Sequence, residues 1–147
     1  MSSDDLAQYG QSKAEEIRDR RERRRLEHER ATADGKLKAA WGPQLWEETR
    51  EEIQLRVDAV NQALGESALV WDGSRADFCV IRVTHVGANL SASYDVRAAR
   101  VILTTENHSD TFDLEVVRGE VKFKAVGYFS PSQIAKMLVD KAASLVL

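Results

Sequence analysis

Asp113 and Glu115 stand two residues apart in a stretch of alternating polar and apolar residues, so both carboxylates share one face of an extended strand. Two carboxyl groups so placed are raw material for general acid–base chemistry. A turn at Val117, Arg118, Gly119 and Glu120 follows, with Gly119 suited to positive φ. Hairpin pairing then sets Glu115 opposite Lys122 and Asp113 opposite Lys124, with Val116 opposite Val121, Leu114 opposite Phe123 and Phe112 opposite Ala125 on the other face. The carboxylates therefore read as surface ion pairs.

The other reactive residues are scattered. His28, His85 and His108 have no ligand spacing, which excludes a sequence-level zinc motif. Cys79 is the single cysteine, so an intramolecular disulfide is impossible, and its place on an apolar strand face predicts an inert core thiol in a reducing compartment. No serine has a nucleophile-elbow context, and no Gly-rich loop follows a strand to cradle phosphate. No catalytic residue, metal ligand or cofactor is assigned, and the chain is not expected to be an enzyme.

Two arginine groups remain. Arg20, Arg21, Arg23, Arg24 and Arg25 form a dense basic cluster, suited to phosphate or another anion, although interleaved glutamates neutralise much of its field. Arg82, Asp95, Arg97 and Arg100 are expected on the wet side of the first strands, where they would dock a carboxylate or phosphate, or where Arg82 and Asp95 would pair diagonally.

The elements that must position these residues change character near Gly35. Residues 13–30 hold eight Lys/Arg against six Asp/Glu and almost nothing to bury, within a chain of net charge −3. Residues 15–30 lack Gly and Pro, and the i, i+4 pairs Glu16 with Arg20, Asp19 with Arg23, and Arg25 with Glu29 favour a solvated helix. Ile17 and Leu26 are nine residues apart, so no coiled-coil seam exists. This predicts a charged arm, helical or partly disordered, over residues 1–35 and an α+β domain over residues 36–147.

Within that domain, Gly42 and Pro43 at one end and Gly65 at the other bracket a helix at 43–64, with Trp46, Ile53, Val57, Val60 and Leu64 as its apolar stripe. Trp41 and Trp46 are either core and staple residues or anchors for a partner. Alternating segments between 68 and 127 predict an antiparallel meander of four to five strands. A turn at residues 86–89 sets Val83 opposite Ala92, Ile81 opposite Tyr94 and Cys79 opposite Val96. A turn at 107–110 sets Val101 opposite Val116 and Leu103 opposite Leu114. Residues 95–100 read equally as a turn or as a bulge in one bent strand. Ser130, Pro131 and Gln133 open a last helix, 131–146, with a capping box. Both helices are expected on the apolar sheet face.

No apolar run approaches the roughly 20 residues of a membrane helix, so no membrane insertion is expected. The acidic start, Met1 to Asp5, lacks the apolar run of a secretory signal, which predicts a cytoplasmic location. The functional expectation is a non-enzymatic protein-interaction or adaptor module, self-associating as a homodimer or meeting a protein partner. Ile102, Val117 and Val126 on the wet face are its apolar contacts. Nucleic-acid binding through the arginine-rich arm is the alternative. A small-ligand carrier is a further one, which Phe112, Phe123, Trp46 and Tyr94 oppose by filling the core.

Overall fold

Strong helix formers on both sides of Gly42 and Pro43 carry one helix straight through them. The computed structural model describes residues 2–147, and its first element, α1, spans Ser3–Leu64 with Pro43 inside it. The expected start at Pro43 is thus corrected: residues 36–41 propagate the helix, and proline removes only its own N–H from the ladder. Contact clustering divides the chain into two compact units between Lys36 and Leu37.

At its end α1 stops as expected, with Gly65 at φ 72 and the amides of Gly65 and Glu66 both donating to the Asn61 carbonyl at 2.9 and 3.2 Å. The buried stripe of the helix in the second unit is Gly42, Trp46, Thr49, Ile53 and Val57. Leu64, expected on that stripe, is 53% exposed.

Seven strands follow: β1 (Leu69–Arg75), β2 (Phe78–Val83), β3 (Ala88–Asp95), β4 (Arg100–Thr104), β5 (Ser109–Val117), β6 (Glu120–Lys124) and β7 (Tyr128–Phe129). They form one antiparallel sheet in sequence order, and α2 (Pro131–Ala143) closes the chain. The class is α+β, with more strands than the four to five expected. One reason is the join at residues 95–100. Asp95 pairs with Arg100, its side chain accepts the Ala98 amide at 3.0 Å, and Ala99 takes φ 52, so the segment is a turn.

The β5–β6 register is the expected one, from Asp113 opposite Lys124 to Val117 opposite Glu120. Its ladder ends before Phe112 reaches Ala125; Phe112 instead pairs with Val101 and meets Phe129 edge-on at 5.2 Å. Two other registers differ from expectation. Val83 faces Ala88, Ile81 faces Leu90 and Cys79 faces Ala92, because the turn at 84–87 uses positive φ at His85 and Gly87. Val101 faces Phe112 and Leu103 faces Asp110, because the Thr105 amide closes the next turn on the His108 carbonyl at 2.8 Å. Each shift is even, so the inward set of side chains is unchanged.

That inward face packs one core. Cys79, Ile81, Leu90, Ala92, Val101, Leu103, Phe112, Leu114 and Phe123 meet Trp46, Ile53 and Val57 of α1 and Ile134, Ala135, Leu138 and Ala142 of α2. Both helices therefore cover the same sheet face. Ser130 caps α2 with the full capping box, its hydroxyl accepting the Gln133 amide while Gln133 accepts the Ser130 amide.

Candidate interaction surface

In the arm unit, Arg20, Arg21, Arg23, Arg24 and Arg25 are all solvent-exposed on α1. Arg25 alone of the five is neutralised, between Glu22 at 2.5 Å and Glu29 at 2.6 Å, and the paired guanidinium depresses the Glu22 pKa. The expected pairs of Glu16 with Arg20 and Asp19 with Arg23 do not close; Glu16 pairs with Lys13 at 3.2 Å. Among the described residues, the other four guanidinium groups have no carboxylate within 4 Å.

On the open sheet face the four expected residues do not form one cluster. Arg82 faces Asn89, six residues along β3 from Asp95, a separation of about 20 Å. Arg82 pairs with Asp72 at 3.2 Å, not diagonally with Asp95. Asp72 also accepts the Ser74 amide, which is the larger reason its carboxyl is held below the ordinary range, with Arg82 adding to it. Arg100 lies between Asp95 and Asp113 and reaches Asp113 at 3.2 Å, and Arg97 stands in the adjoining turn. Sheet twist also makes the carboxylate pairs diagonal: Glu115 lies 3.8 Å from Lys124 and accepts the Tyr128 hydroxyl at 2.9 Å. The result is an alternating charged row, Asp95, Arg100, Asp113 and Lys124, without a shared anion site.

Of the remaining titratable groups, Cys79 is fully buried, and burial pushes its thiol up to about 11. His85 and His108 occupy turns, with His108 Nε2 2.9 Å from Asp110 Oδ1. A cleft of about 400 Å³ lies beside that turn, floored by Leu103, Leu138 and Leu145 and rimmed by His108, Asp110 and Lys141. Its rim mixes both charges, so it selects no ligand.

The two sheet edges are treated differently by the chain. The β1 edge is occupied: Asn61 of α1 both donates to and accepts from the Leu69 backbone, at 2.7 and 3.0 Å, and Arg50 Nη2 donates to the Gly73 carbonyl at 2.7 Å. At the opposite edge, β7 pairs with β6 only at Phe123 and Lys124, leaving Glu120, Val121 and Lys122 without an outer neighbour. Two adjoining hollows of about 300 Å³ each open there, one lined by Trp41, Leu45 and Val121, the other by Leu45, Val121, Phe129 and Pro131.

The two tryptophans therefore divide. Trp46 is buried and donates its indole N–H to the Ala76 carbonyl at 2.7 Å, whereas Trp41 is 51% exposed. The sequence signal for this was available: Trp41 falls one position off the stripe that runs through Gly42 and Trp46, about 100° around the helix. The edge-blocking roles of Asn61 and Arg50 had no sequence signal, because each depends on a strand distant in sequence. Set against known protein families, curated proteins and solved structures, the chain matches none of them.

Proposed function

We propose that this protein is a non-enzymatic interaction module that associates with itself through the groove between α1 and β6. The observation that carries the reading is the exposed indole of Trp41 beside two contiguous apolar hollows. Tryptophan is the side chain most enriched at the energetic centres of protein interfaces, and here it adjoins an unpaired strand edge that supplies main-chain hydrogen bonds. The charged rim of Glu120, Lys122 and Arg118 gives the polar surround such a centre needs.

Sedimentation velocity of the full chain over a range of loadings tests this. The expected result is a mass that rises with concentration, and a shift toward monomer in Trp41→Ala with unchanged circular dichroism. A monomer at every loading would overturn self-association.

One observation favours a second reading, nucleic-acid binding through the arm: the four exposed arginines without carboxylate partners. It requires binding of labelled DNA or RNA that falls by orders of magnitude between about 50 and 200 mM salt. Changing Arg20, Arg21, Arg23, Arg24 and Arg25 to Gln would abolish that binding while leaving the mass distribution alone.

A further inference from the structure

The β6 edge carries enough detail to specify how a second copy would sit on it. Residues Arg118 and Gly119, at φ 52 and 79, form a two-residue hairpin turn closed by Val117 opposite Glu120. In such a hairpin the closing pair directs its N–H and C=O toward each other. Glu120 and Lys122 therefore turn their polar backbone groups toward β5, and Val121 turns its own outward. Phe123 then also points outward, and it is the residue that β7 pairs with Phe129. The free edge thus presents one donor and one acceptor, both on Val121.

We propose that two copies join β6 to β6 in antiparallel fashion about a two-fold axis at Val121. This rests on the self-association reading above and gives that association its register. At the axis the two Val121 residues exchange both main-chain hydrogen bonds, the narrow pair of an antiparallel ladder. One position away, Glu120 of each copy comes opposite Lys122 of the second copy. Both side chains lie on the open face, and they are 76% and 46% exposed. Within one copy they reach each other only at 3.9 Å. The dyad therefore creates two complementary cross-strand ion pairs from residues that are weakly engaged alone. The opposite register, with like residues facing like, would set charge against equal charge.

The sheet face carrying α1 is common to both copies in this arrangement. Val121 side chains meet at the axis, and the hollow beside Trp41 and Leu45 of each copy closes over the joined strands. The β1 edge cannot substitute, since Asn61 and Arg50 already occupy its backbone groups. Short length also confines the contact: β7 and the hairpin turn bound it to three residues, which favours one closed pair over an open chain of sheets.

Charge reversal tests the register. Full-length wild type, Glu120→Lys, Lys122→Glu and the double variant are compared by sedimentation velocity at low salt. Each single variant is expected to weaken association by roughly tenfold or more, since it places like charges opposite each other twice. The double variant restores the pairs with reversed sign and is expected to recover wild-type association. Recovery cannot come from a fold that failed in the single variants. If all four associate alike while Trp41→Ala dissociates, the register is wrong and the interaction reading stands. If the double variant is no better than the singles, the register is also wrong. A monomeric wild type overturns both.

Discussion

Gly42 lies against the hydroxyl end of Tyr94, so closely that a β-carbon there would overlap the phenol oxygen and come within 2.8 Å of Leu114 Cδ1. The ring has little freedom to retreat, because it stacks on Trp46 with centroids 6.0 Å apart and planes 19° from parallel. Gly42→Ala improves helix propensity by about 1 kcal/mol, yet overpacking at a rigid contact costs roughly 1–3 kcal/mol. The variant is therefore expected to be less stable than wild type in urea denaturation, by up to about 2 kcal/mol. A gain in stability would show that Tyr94 moves aside at no cost.

This contact also explains where sequence reasoning succeeded and where it stopped. Gly followed by Pro reads as a helix boundary when only local conformational preference is considered. What keeps glycine at position 42 is a tyrosine more than fifty residues away, and no periodicity records that. The apolar stripe from Trp46 to Val57, the Ser130 cap and the tight turn at Gly119 were legible because each is a local pattern. The inward face of the sheet was legible too, since alternation alone sets it. Absolute register at the turns near Gly87 and His108 was not, because a shift of four leaves every apolar residue facing inward. Of the surface residues, Trp41 was visible as a residue off the stripe, whereas the open β6 edge depended on the shortness of β7.

Asn61 is the polar residue whose loss should be felt most. Its side chain satisfies both the amide and the carbonyl of Leu69, at 3.0 and 2.7 Å, where β1 begins. Leu69 itself is buried, so truncation leaves two main-chain groups with poor access to water. Asn61→Ala is expected to cost about 2–3 kcal/mol, and Asn61→Asp less, because the carboxylate still accepts the amide. Hydrogen exchange at the Leu69 amide supplies a local readout. Accelerated exchange in Ala but not in Asp would match this division of roles, and equal exchange in both would contradict it.

At the start of α2 the capping box makes a smaller and separable contribution. Ser130 Oγ accepts the Gln133 amide at 3.2 Å, and Gln133 Oε1 accepts the Ser130 amide at 2.8 Å. Ser130→Ala should lower stability by about 1 kcal/mol. Ser130→Asp should retain most of it, because an acidic cap accepts the same amide and suits the helix dipole. Thermal denaturation of the three proteins would order them wild type, Asp, Ala; an Ala variant as stable as wild type would mean the helix is held by packing alone.

Cys79 and Tyr94 together predict how stability responds to alkali. Burial pushes the Cys79 thiol from 9.0 up to about 11, against a smaller opposing effect of Arg50, and burial likewise raises the Tyr94 phenol above its ordinary value. Below pH 9 both groups keep their protons whether the chain is folded or not, and the contribution is fully present. As pH rises further the unfolded chain releases its thiol proton first, so it binds fewer protons than the folded chain and stability falls. The Cys79 slope approaches about 1.4 kcal/mol per pH unit until the folded thiol also titrates, and the phenol extends the decline. Urea midpoints measured from pH 8 to 11 should therefore drop, and Cys79→Ala should flatten the first part of that drop while lowering the starting stability. An aromatic disulfide reagent at pH 8 offers an independent check. It should leave the native thiol unmodified and titrate one thiol once urea unfolds the chain, whereas rapid native labelling would mean that the core opens far more often than its packing implies.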